Sequence, residues 1–442
     1  MFGFRALGNT RVPHRKNTAA MTGVRMPSPA EVLLPMAQHI GAPALPIVKV
    51  GDEVRVGQKV AEADGKLSSP IYASVSGKVT KLEEYLTPQG RKVNAIRIAS
   101  DGQMTPADVA PVAVETLDDL VTAARESGVV GLGGAGFPTA VKLEAIAKGV
   151  INTVVFNGAE CEPYITSDTR VMIDEIEDVV DGVALLRRFL PEAEFIFGVE
   201  ENKQECIGLL CEAFLADDSV SVTPLPTLYP QGAEKVLIYN TTRRIVPEGG
   251  LPSDVGVLVM NVSSLAVLAR YVKTGMPLVE RTVTVDGSSI REPKNVIAPI
   301  GTSLGDLIDF VGGAEDIGKV LYGGPMMGIP AANLSEPTVK TTGALTVLTE
   351  RDSAPAVATP CIHCGRCVEA CPLSLNPVAY SKALNVESKE ERMARLAATK
   401  VNLCMECGCC SFVCPAKRPL VQNNRLGKAA LREYQLHAKT LK

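Results

Sequence analysis

The feature that most limits what this chain can fold into is a cysteine pattern that occurs twice near its C-terminal end. Cys361-x2-Cys364-x2-Cys367-x3-Cys371-Pro372 returns as Cys404-x2-Cys407-x2-Cys410-x3-Cys414-Pro415. Spacings of two let three thiolates on one tight loop reach three corners of a cubic cluster, and the fourth cysteine of such a motif ligates the neighbouring cluster. That fourth cysteine, just before proline, is expected to start a helix pointing away. The pattern therefore assigns Cys361, Cys364, Cys367 and Cys414 to one [4Fe–4S] centre, and Cys404, Cys407, Cys410 and Cys371 to a second. A pair of zinc sites is the competing reading, but zinc usually takes two separated CxxC pairs and not a triplet followed by Cys-Pro. Nine of the twelve cysteines lie between Cys361 and Cys414, and such clustering in a large chain points to metal and not to disulfides. Cys409, beside Cys410, is expected to be structural. Cys206 and Cys211 read as small buried hydrophobes.

Two clusters move single electrons, so the rest of the chain must supply or consume them. At 442 residues it has room for about three or four domains. The net charge of −4 argues against a nucleic-acid binder that relies on bulk charge. Aromatic residues at 4% and the absence of Trp argue against stacking on single strands. The longest apolar stretch, Val255 to Val272, is broken by Asn261, Ser263 and Ser264, and reads as a buried strand followed by a helix. The first residues lack an apolar core of signal-peptide length, so the chain is expected to stay in the cytosol and not to cross a membrane by itself.

The pattern along the chain predicts a multidomain α+β protein. Residues 1–28 read as an extended N-terminal arm. Residues 29–105 carry short alternating strands with turns at Gly51-Asp52, Gly57 and Ser76-Gly77, and resemble a lipoyl-like barrel-sandwich module. Lys66 stands eleven residues before Gly77, the spacing of a modified lysine in lipoyl domains, but the flanking hairpin residues are missing. The module is therefore expected to be a docking scaffold. Over 112–272 helices alternate with apolar strands, which predicts an α/β layer domain of Rossmann-like type. Its helices include one ending at Gly128 and one from Pro138 to Gly149. Residues 275–350 return to short strands with one helix. A linker leads into a helical ferredoxin-like module over 355–418, whose two motifs are separated by one or two helices. The tail, 419–442, is basic: residues 416–442 hold seven Lys or Arg and one acidic residue. Leu426, Ala430, Tyr434 and Leu441 recur at roughly helical spacing and suit docking on a partner or on lipid.

Between the first two helices of the α/β domain lies Gly131-Leu-Gly133-Gly134-Ala-Gly136-Phe137-Pro138. The pattern fits GxGxxG, but a helix precedes it where the dinucleotide fingerprint requires a strand. Its physics survives that mismatch. Residues without side chains let backbone N–H groups approach a phosphate, and the helix opening at Pro138 offers its positive end. Lys142 adds a cation one turn in. The next strand opens into Asn157-Gly-Ala159-Glu160-Cys161-Glu162-Pro-Tyr164, a polar acidic loop at the place where open α/β sheets hold ligands.

GGAGFPTAVKL, NGAECEPY, YPQGAEK and the double cysteine motif, in this order, resemble the NADH-binding, FMN-containing subunit of respiratory complex I. The leading β module and the C-terminal position of both motifs make the chain more similar to the C subunits of the Rnf complex, the ion-translocating ferredoxin:NAD+ oxidoreductase. The resemblance implies that residues 112–272 bind FMN and NADH, and that 275–350 form a β-grasp module of the soluble-ligand-binding (SLBB) type. It implies flavin contacts at Gly131, Gly133, Gly134, Gly136, Lys142, Asn157, Glu160 and Asn261. It implies NADH contacts at Phe137 and Glu162, with Glu162 and Glu234 as catalytic residues. Ala159 and Ala233 depart from the relative's Asp and Glu. The implied activity is an NADH-dependent oxidoreductase and translocase subunit that exchanges hydride with NAD(H) at non-covalent FMN. It would relay electrons through two [4Fe–4S] clusters between ferredoxin, reached indirectly, and NAD+. The implied partners are the other Rnf subunits, integral membrane proteins and an iron–sulfur subunit among them, which couple the reaction to Na+ or H+ transport. The implied location is peripheral, on the cytoplasmic face of the cell membrane. Two other readings remain open at this point: a soluble corrinoid (cobalamin) reductase of a bacterial microcompartment, and a non-catalytic electron-wiring subunit.

The ligand assignment predicts about eight iron and eight acid-labile sulfide per chain in anaerobically purified protein. Cys410→Ser should remove one cluster and Cys409→Ser should keep both. Loss of iron from the Cys409 variant alone would contradict the assignment.

Overall fold

The computed structural model describes residues 8–440. Apolar residues on the strands of the first module turn inward on two small antiparallel sheets. One runs in the order Glu53–Val54, Gly77–Leu86, Lys92–Ser100, Glu31–Pro35, and the other in the order Leu45–Pro46, Lys59–Glu62, Ile71–Tyr72. Val32, Leu34, Val60, Ile71, Val79, Ile96 and Ile98 fill the space between them, giving the expected barrel-sandwich. Lys66 is exposed and pairs with Glu144 at 2.6 Å.

The next module is built on a four-stranded parallel sheet in the order Val220–Leu225, Glu194–Glu200, Thr153–Gly158, Val257–Asn261. The strand TVVFNG is apolar without alternation because a central parallel strand is covered on both faces. Helix Leu117–Glu126 opens with a capping box of Thr116 and Asp119, as its sequence requires. The helix expected from Pro138 is shorter than its sequence suggests. It is α-helical only over Thr139–Leu143 and continues as a 3-10 helix over Glu144–Lys148, with Pro138 at the cap position and Gly149 in the left-handed region. Ala140, Leu143 and Ile146 are its buried apolar positions. A burial period of three favours the tighter coil, in which residues three apart eclipse.

The third module is a six-stranded mixed sheet covered by helix Leu304–Phe310. Its second strand, Lys294–Pro299, is absent from the sequence reading because Pro293 and Pro299 bracket a very short apolar run. Its edge is closed by Val24–Arg25 of the N-terminal arm, paired parallel to Val296 and Ile297. Covering an edge this way removes a template for aggregation. From residue 8 onward the arm is therefore a strap. It pairs Thr10 with Tyr229, tucks half-buried Lys16 against the Glu160–Ile165 loop, and bonds Asn17 to Asp286 and Thr18 to Thr166. Residues 1–7 of the expected arm lie outside the described residues.

The last module packs helices Pro377–Leu384, Lys389–Ala398 and Leu420–Thr440 around Tyr380, Leu396, Val401 and Leu431. One expectation needs correction here. Cys371 and Cys414 do not start helices. Each follows the short helix that carries the third cysteine, Arg366–Glu369 or Cys409–Phe412, because the residue before a proline is pushed out of helical geometry. The basic tail packs one side of its helix on this module. Leu420, Val421, Asn424 and Leu431 of its helix are buried, and Ala430 and Tyr434 pack on the module core. Leu426 is exposed, and Leu441 lies outside the described residues. Cys206 is buried as expected, whereas Cys211 is exposed. Among the described residues no helix is long and apolar enough to cross a membrane.

Lys340 ties three modules together. Fully buried, it donates to Ser69 Oγ at 3.0 Å, the Pro70 carbonyl at 2.6 Å and the Gly128 carbonyl at 2.8 Å. Burial without a carboxylate partner lowers its pKa to about 7. That value lies below the one for unfolded lysine, so between about pH 7 and pH 10 the unfolded chain binds more protons and this group makes stability rise with pH. The stability of wild type relative to Lys340→Met should therefore increase by more than about 1 kcal/mol over that range, measured by denaturation at several pH values. A difference that is flat or falls with pH would contradict the buried ammonium.

Candidate functional site

The C-terminal ends of strands Thr153–Gly158 and Val257–Asn261 lie side by side, with Asn157 opposite Asn261. The glycine loop lies over this edge. Its Gly131 N–H donates to the Phe137 carbonyl at 2.8 Å and its Gly136 N–H to the Gly131 carbonyl at 3.1 Å, so the loop closes on itself around exposed Gly133, Gly134 and Ala135. Gly134 has φ +143, and a Cβ there would meet only open space. Gly136 is wedged between the barrel-sandwich and β-grasp modules: a Cβ on it would lie 2.9 Å from Thr341 Cγ2 and 3.3 Å from His39 Cα, and its carbonyl accepts from Ile40 N–H at 3.0 Å. The loop thus offers side-chain-free backbone to open space while neighbouring modules clamp its far end, a cradle that fits a phosphate-bearing cofactor.

The polar residues of this edge divide into those that face the cradle and those spent on support. Lys142 reaches the Val259 carbonyl at 3.1 Å and pairs with Glu234 at 3.4 Å. Both keep exposed surface, so they remain available to a ligand. Asn157 donates to the Gly232 carbonyl at 2.9 Å and accepts from Ala159 N–H at 3.2 Å, which sets the shape of two loops. Asn261 caps its own helix through Ser264 N–H and donates to Asp168 Oδ2 at 2.7 Å. A Cβ on Gly133 would come within 2.9 Å of its amide nitrogen, so Asn261 supports the glycine loop from below.

The two acidic residues of the next loop both accept from backbone N–H groups of the chain itself. Glu160, at φ +34, accepts from Asp168 N–H at 2.6 Å, Thr169 N–H at 3.2 Å and Thr169 Oγ1 at 2.7 Å. It thereby caps the N-terminus of helix Ser167–Asp174, which has no side-chain cap of its own. Burial works against its charge, but Lys203 and Lys16 with these hydrogen bonds outweigh it and hold the carboxyl below its ordinary range. Glu162 accepts from the backbone N–H groups of Met326 and Met327 at 3.0 and 2.8 Å. Burial pushes its pKa up to about 7 against those bonds. Neither carboxylate is directed at the glycine loop by these contacts.

The thiols fall into two sets. Cys361, Cys364, Cys367 and Cys414 line one pocket, and Cys371, Cys404, Cys407 and Cys410 line another, together with Cys409. Each set crosses between the motifs as the spacing requires. The repeat is also a repeat of backbone conformation. His363 and Glu406, Gly365 and Gly408, and Ser374 and Lys417 take positive φ at matching positions, which wraps each loop around its pocket. Among the described residues no three His, Cys, Asp or Glu side chains converge on a single-ion site. The thiols instead surround a space, as donors to a polynuclear cluster do. The second pocket is the more insulated. Leu375 N–H, Glu406 N–H and Asn424 Nδ2 donate to its sulfurs at 3.3–3.5 Å, and the buried Tyr380 hydroxyl lining it has no protein partner.

This second pocket abuts the loop that carries Cys161. Cys161, Tyr229, Met326, Cys407 and Cys409 pack in one apolar cluster. Tyr229 hydroxyl donates to the Cys407 carbonyl at 2.7 Å, and Cys409 Sγ lies 3.8 Å from the Tyr229 carbonyl. A Cβ on Gly408 would sit 2.8 Å from the Met326 carbonyl. Sequence reasoning missed Lys16, Lys203, Tyr229, Met326 and Asn424. Only YPQGAEK, which contains Tyr229, carried a local signal. The others come from segments with no motif of their own.

Comparison with known proteins gives the same order of modules. An RnfC barrel sandwich hybrid domain matches residues 5–103, a Nuo51 FMN-binding domain 124–270, an SLBB domain 282–330 and a 4Fe-4S dicluster domain 357–418. The C subunit of the proton-translocating ferredoxin:NAD+ oxidoreductase complex of Clostridium ljungdahlii is 42% identical over 374 residues, 83% of this chain and 82% of that protein. The Na+-translocating counterpart of Acetobacterium woodii is 42% identical over 84% of this chain and 85% of its own length. The C subunit of the ion-translocating oxidoreductase complex of Rhodobacter capsulatus is 38% identical over 96% of this chain and 82% of its own length. Among solved structures, a chain of an NAD+-reducing [NiFe]-hydrogenase matches with a TM-score of 0.52 at 19% identity. The match spans 72% of this chain and 63% of the hydrogenase chain, and it is a likeness of fold.

A side chain at Gly134 would occupy the open side of the cradle and strain a left-handed backbone position. Gly134→Val should abolish FMN binding, read as flavin per chain after anaerobic purification. Wild-type flavin content in that variant, with iron retained, would contradict the placement.

Proposed function

This chain belongs to the C-subunit family of ion-translocating ferredoxin:NAD+ oxidoreductase complexes, and we propose that it is the nucleotide end of such a complex's electron path. The observation that carries this reading is the contact between the Cys161 loop and the Cys407–Cys409 loop, which sets a flavin-type edge directly against a cluster-type pocket. FMN held at Gly131, Gly133, Gly134 and Gly136 would convert between the hydride of NAD(H) and the single electrons that [4Fe–4S] clusters carry. Lys142 and Glu234, at the open side of the loop, bind and orient flavin and nicotinamide nucleotide. Phe137, half-buried at the end of the loop, packs against them. Asn157, Glu160 and Asn261 act one layer back, holding Gly232, helix Ser167–Asp174 and Gly133. Cys371, Cys404, Cys407 and Cys410 hold the cluster next to the flavin domain. Cys361, Cys364, Cys367 and Cys414 hold the outer one.

The membrane-spanning and ion-moving steps belong to partner subunits. The chain attaches to them on the cytoplasmic face through protein contacts. Its exposed Leu426 and Leu436, on the outer side of a helix whose inner side is already packed, favour docking on a partner. The family relationship also weighs against the corrinoid reductase, since the similar proteins are named as members of translocating complexes. Buried Ala159 leaves no carboxylate at its position, but the cradle itself is intact, which speaks against a wiring subunit without nucleotide.

Glu162 and Glu234 separate under this reading. Glu234→Gln should lower kcat/KM for NADH with ferricyanide on the order of tenfold, because the carboxylate lies at the open cradle. Glu162→Gln should leave that reaction nearly unchanged and slow cluster reduction, because its carboxylate grips Met326 and Met327. Equal loss of ferricyanide turnover in both variants would restore Glu162 to the nucleotide site.

A further inference from the structure

We propose that Tyr380 and Asn424 are a donor pair that raises the midpoint potential of the cluster in the inner pocket and so sets how readily it accepts an electron. The inference rests on the reading of this pocket as a [4Fe–4S] site. Besides Cys371, Cys404, Cys407, Cys409 and Cys410, the residues lining it that carry a polar side chain are Glu406, Tyr380 and Asn424. Glu406 is committed to Arg425 and Lys428. Tyr380 is fully buried. Its ring packs with Leu375, Met393 and Leu396, a task that phenylalanine would serve as well. Its hydroxyl has no protein partner. A buried hydroxyl without a partner is costly and rare in native chains, so this one is left to the group that the pocket holds. Burial, and after it the nearby Cys404, Cys371 and Cys410, push the phenol's pKa up, which places the hydroxyl among three of the four thiols assigned to the inner cluster. Asn424, 1% exposed, reaches the same pocket from helix Leu420–Thr440. Its Nδ2 donates to Cys404 Sγ at 3.5 Å and lies 3.9 Å from Cys410 Sγ, while its Oδ1 has no partner. The amide is thus spent on sulfur.

The pocket of Cys361, Cys364, Cys367 and Cys414 has no counterpart to this pair. Its lining contains no hydroxyl side chain, and its amide, Asn376, caps helix Pro377–Leu384 through Ala379 N–H. Asn423 stands nine residues after Cys414, as Tyr380 stands nine after Cys371. It does not line that pocket and donates to Ser381 Oγ at 2.8 Å. The donor pair therefore belongs to one site and not to the repeated motif. Reduction adds one electron, and so one negative charge, to a cluster and moves no proton. A donor directed at sulfur stabilises the more negative state more and raises the potential, and exclusion of water strengthens each such bond.

The test is a mediated dithionite titration of full-length protein carrying FMN and both clusters, followed by electron paramagnetic resonance. Tyr380→Phe should leave iron and FMN content unchanged. It should lower one midpoint until the ratio of reduced to oxidised cluster at a fixed poise falls about tenfold, or about 59 mV for one electron. The other midpoint should not move. Absence of the shifted signal from Cys410→Ser identifies it as the inner cluster. Electron–nuclear double resonance of that signal should show an exchangeable-proton coupling that Tyr380→Phe lacks. Asn424→Leu should lower the same midpoint. An unmoved inner midpoint in Tyr380→Phe, a shift in the other cluster instead, or a full set of proton couplings in that variant would overturn the proposal. If Tyr380→Phe fails to assemble the inner cluster, Asn424→Leu decides, and an unmoved midpoint there overturns the pair. Wild type with about eight iron and no shift in either variant sinks the donor pair alone. Wild type without the inner cluster sinks the reading on which the pair rests.

Discussion

Three carbonyl oxygens, of Glu160, Glu162 and Ile165, converge on the ammonium of Lys16 at 2.8, 2.8 and 2.6 Å. The loop they belong to holds two non-glycine residues at positive φ, Glu160 and Tyr164, a conformation that persists only when its surroundings over-determine it. Lys16 from the arm, the Glu160 carboxylate on helix Ser167–Asp174, and Tyr164 N–H on the His14 carbonyl at 2.9 Å supply that determination. Burial and the nearby Lys203 lower the pKa of Lys16 to about 8, so its charge is held by acceptors and not by solvent. With the loop fixed, Cys161 meets Tyr229 and the inner thiol pocket, and Glu162 meets the Met326–Met327 backbone. One half-buried cation thus sits where the arm, the α/β domain, the β-grasp module and the cysteine-rich module meet.

The modules, their order and the eight cluster cysteines were legible because each rests on a local signal. Glycine spacing, strand alternation and Cys-x2-Cys repeats act over a few residues. The junction was not legible. Lys16 lies in a segment without apolar period, and its partners are more than 140 positions away. Met326 sits in a glycine-rich turn that reads as a surface loop. The helix after Pro138 shows the limit at short range: its composition is helical, and only the three-residue burial period set by its neighbours converts half of it to a 3-10 coil. The basic tail shows the same limit at the other end. Its charge suggested a tail docked on a partner or on lipid, while its helix also packs inward through Leu420 and Leu431 and lines the inner pocket with Val421 and Asn424.

The acidic residues of this loop spend their oxygens on the chain's own backbone. Glu160 and Glu162 bracket the junction, yet one caps a helix and the other grips a neighbouring module. The open side of the cradle is left to Lys142, Glu234 and bare backbone. The far end of the glycine loop is clamped by Ile40 and Thr341, which gives the barrel-sandwich module a concrete part in shaping the loop.

The most direct test of this account is the iron anomalous map of crystals grown from anaerobic holoprotein. The account predicts two iron sites. One is bound by Cys371, Cys404, Cys407 and Cys410 and lies beside Tyr229, with flavin density over Gly131–Gly136. The other is bound by Cys361, Cys364, Cys367 and Cys414 near the surface. Uncrossed ligation, with Cys371 on the first motif's own cluster and Cys414 on the second's, or flavin density away from the glycine loop, would contradict it.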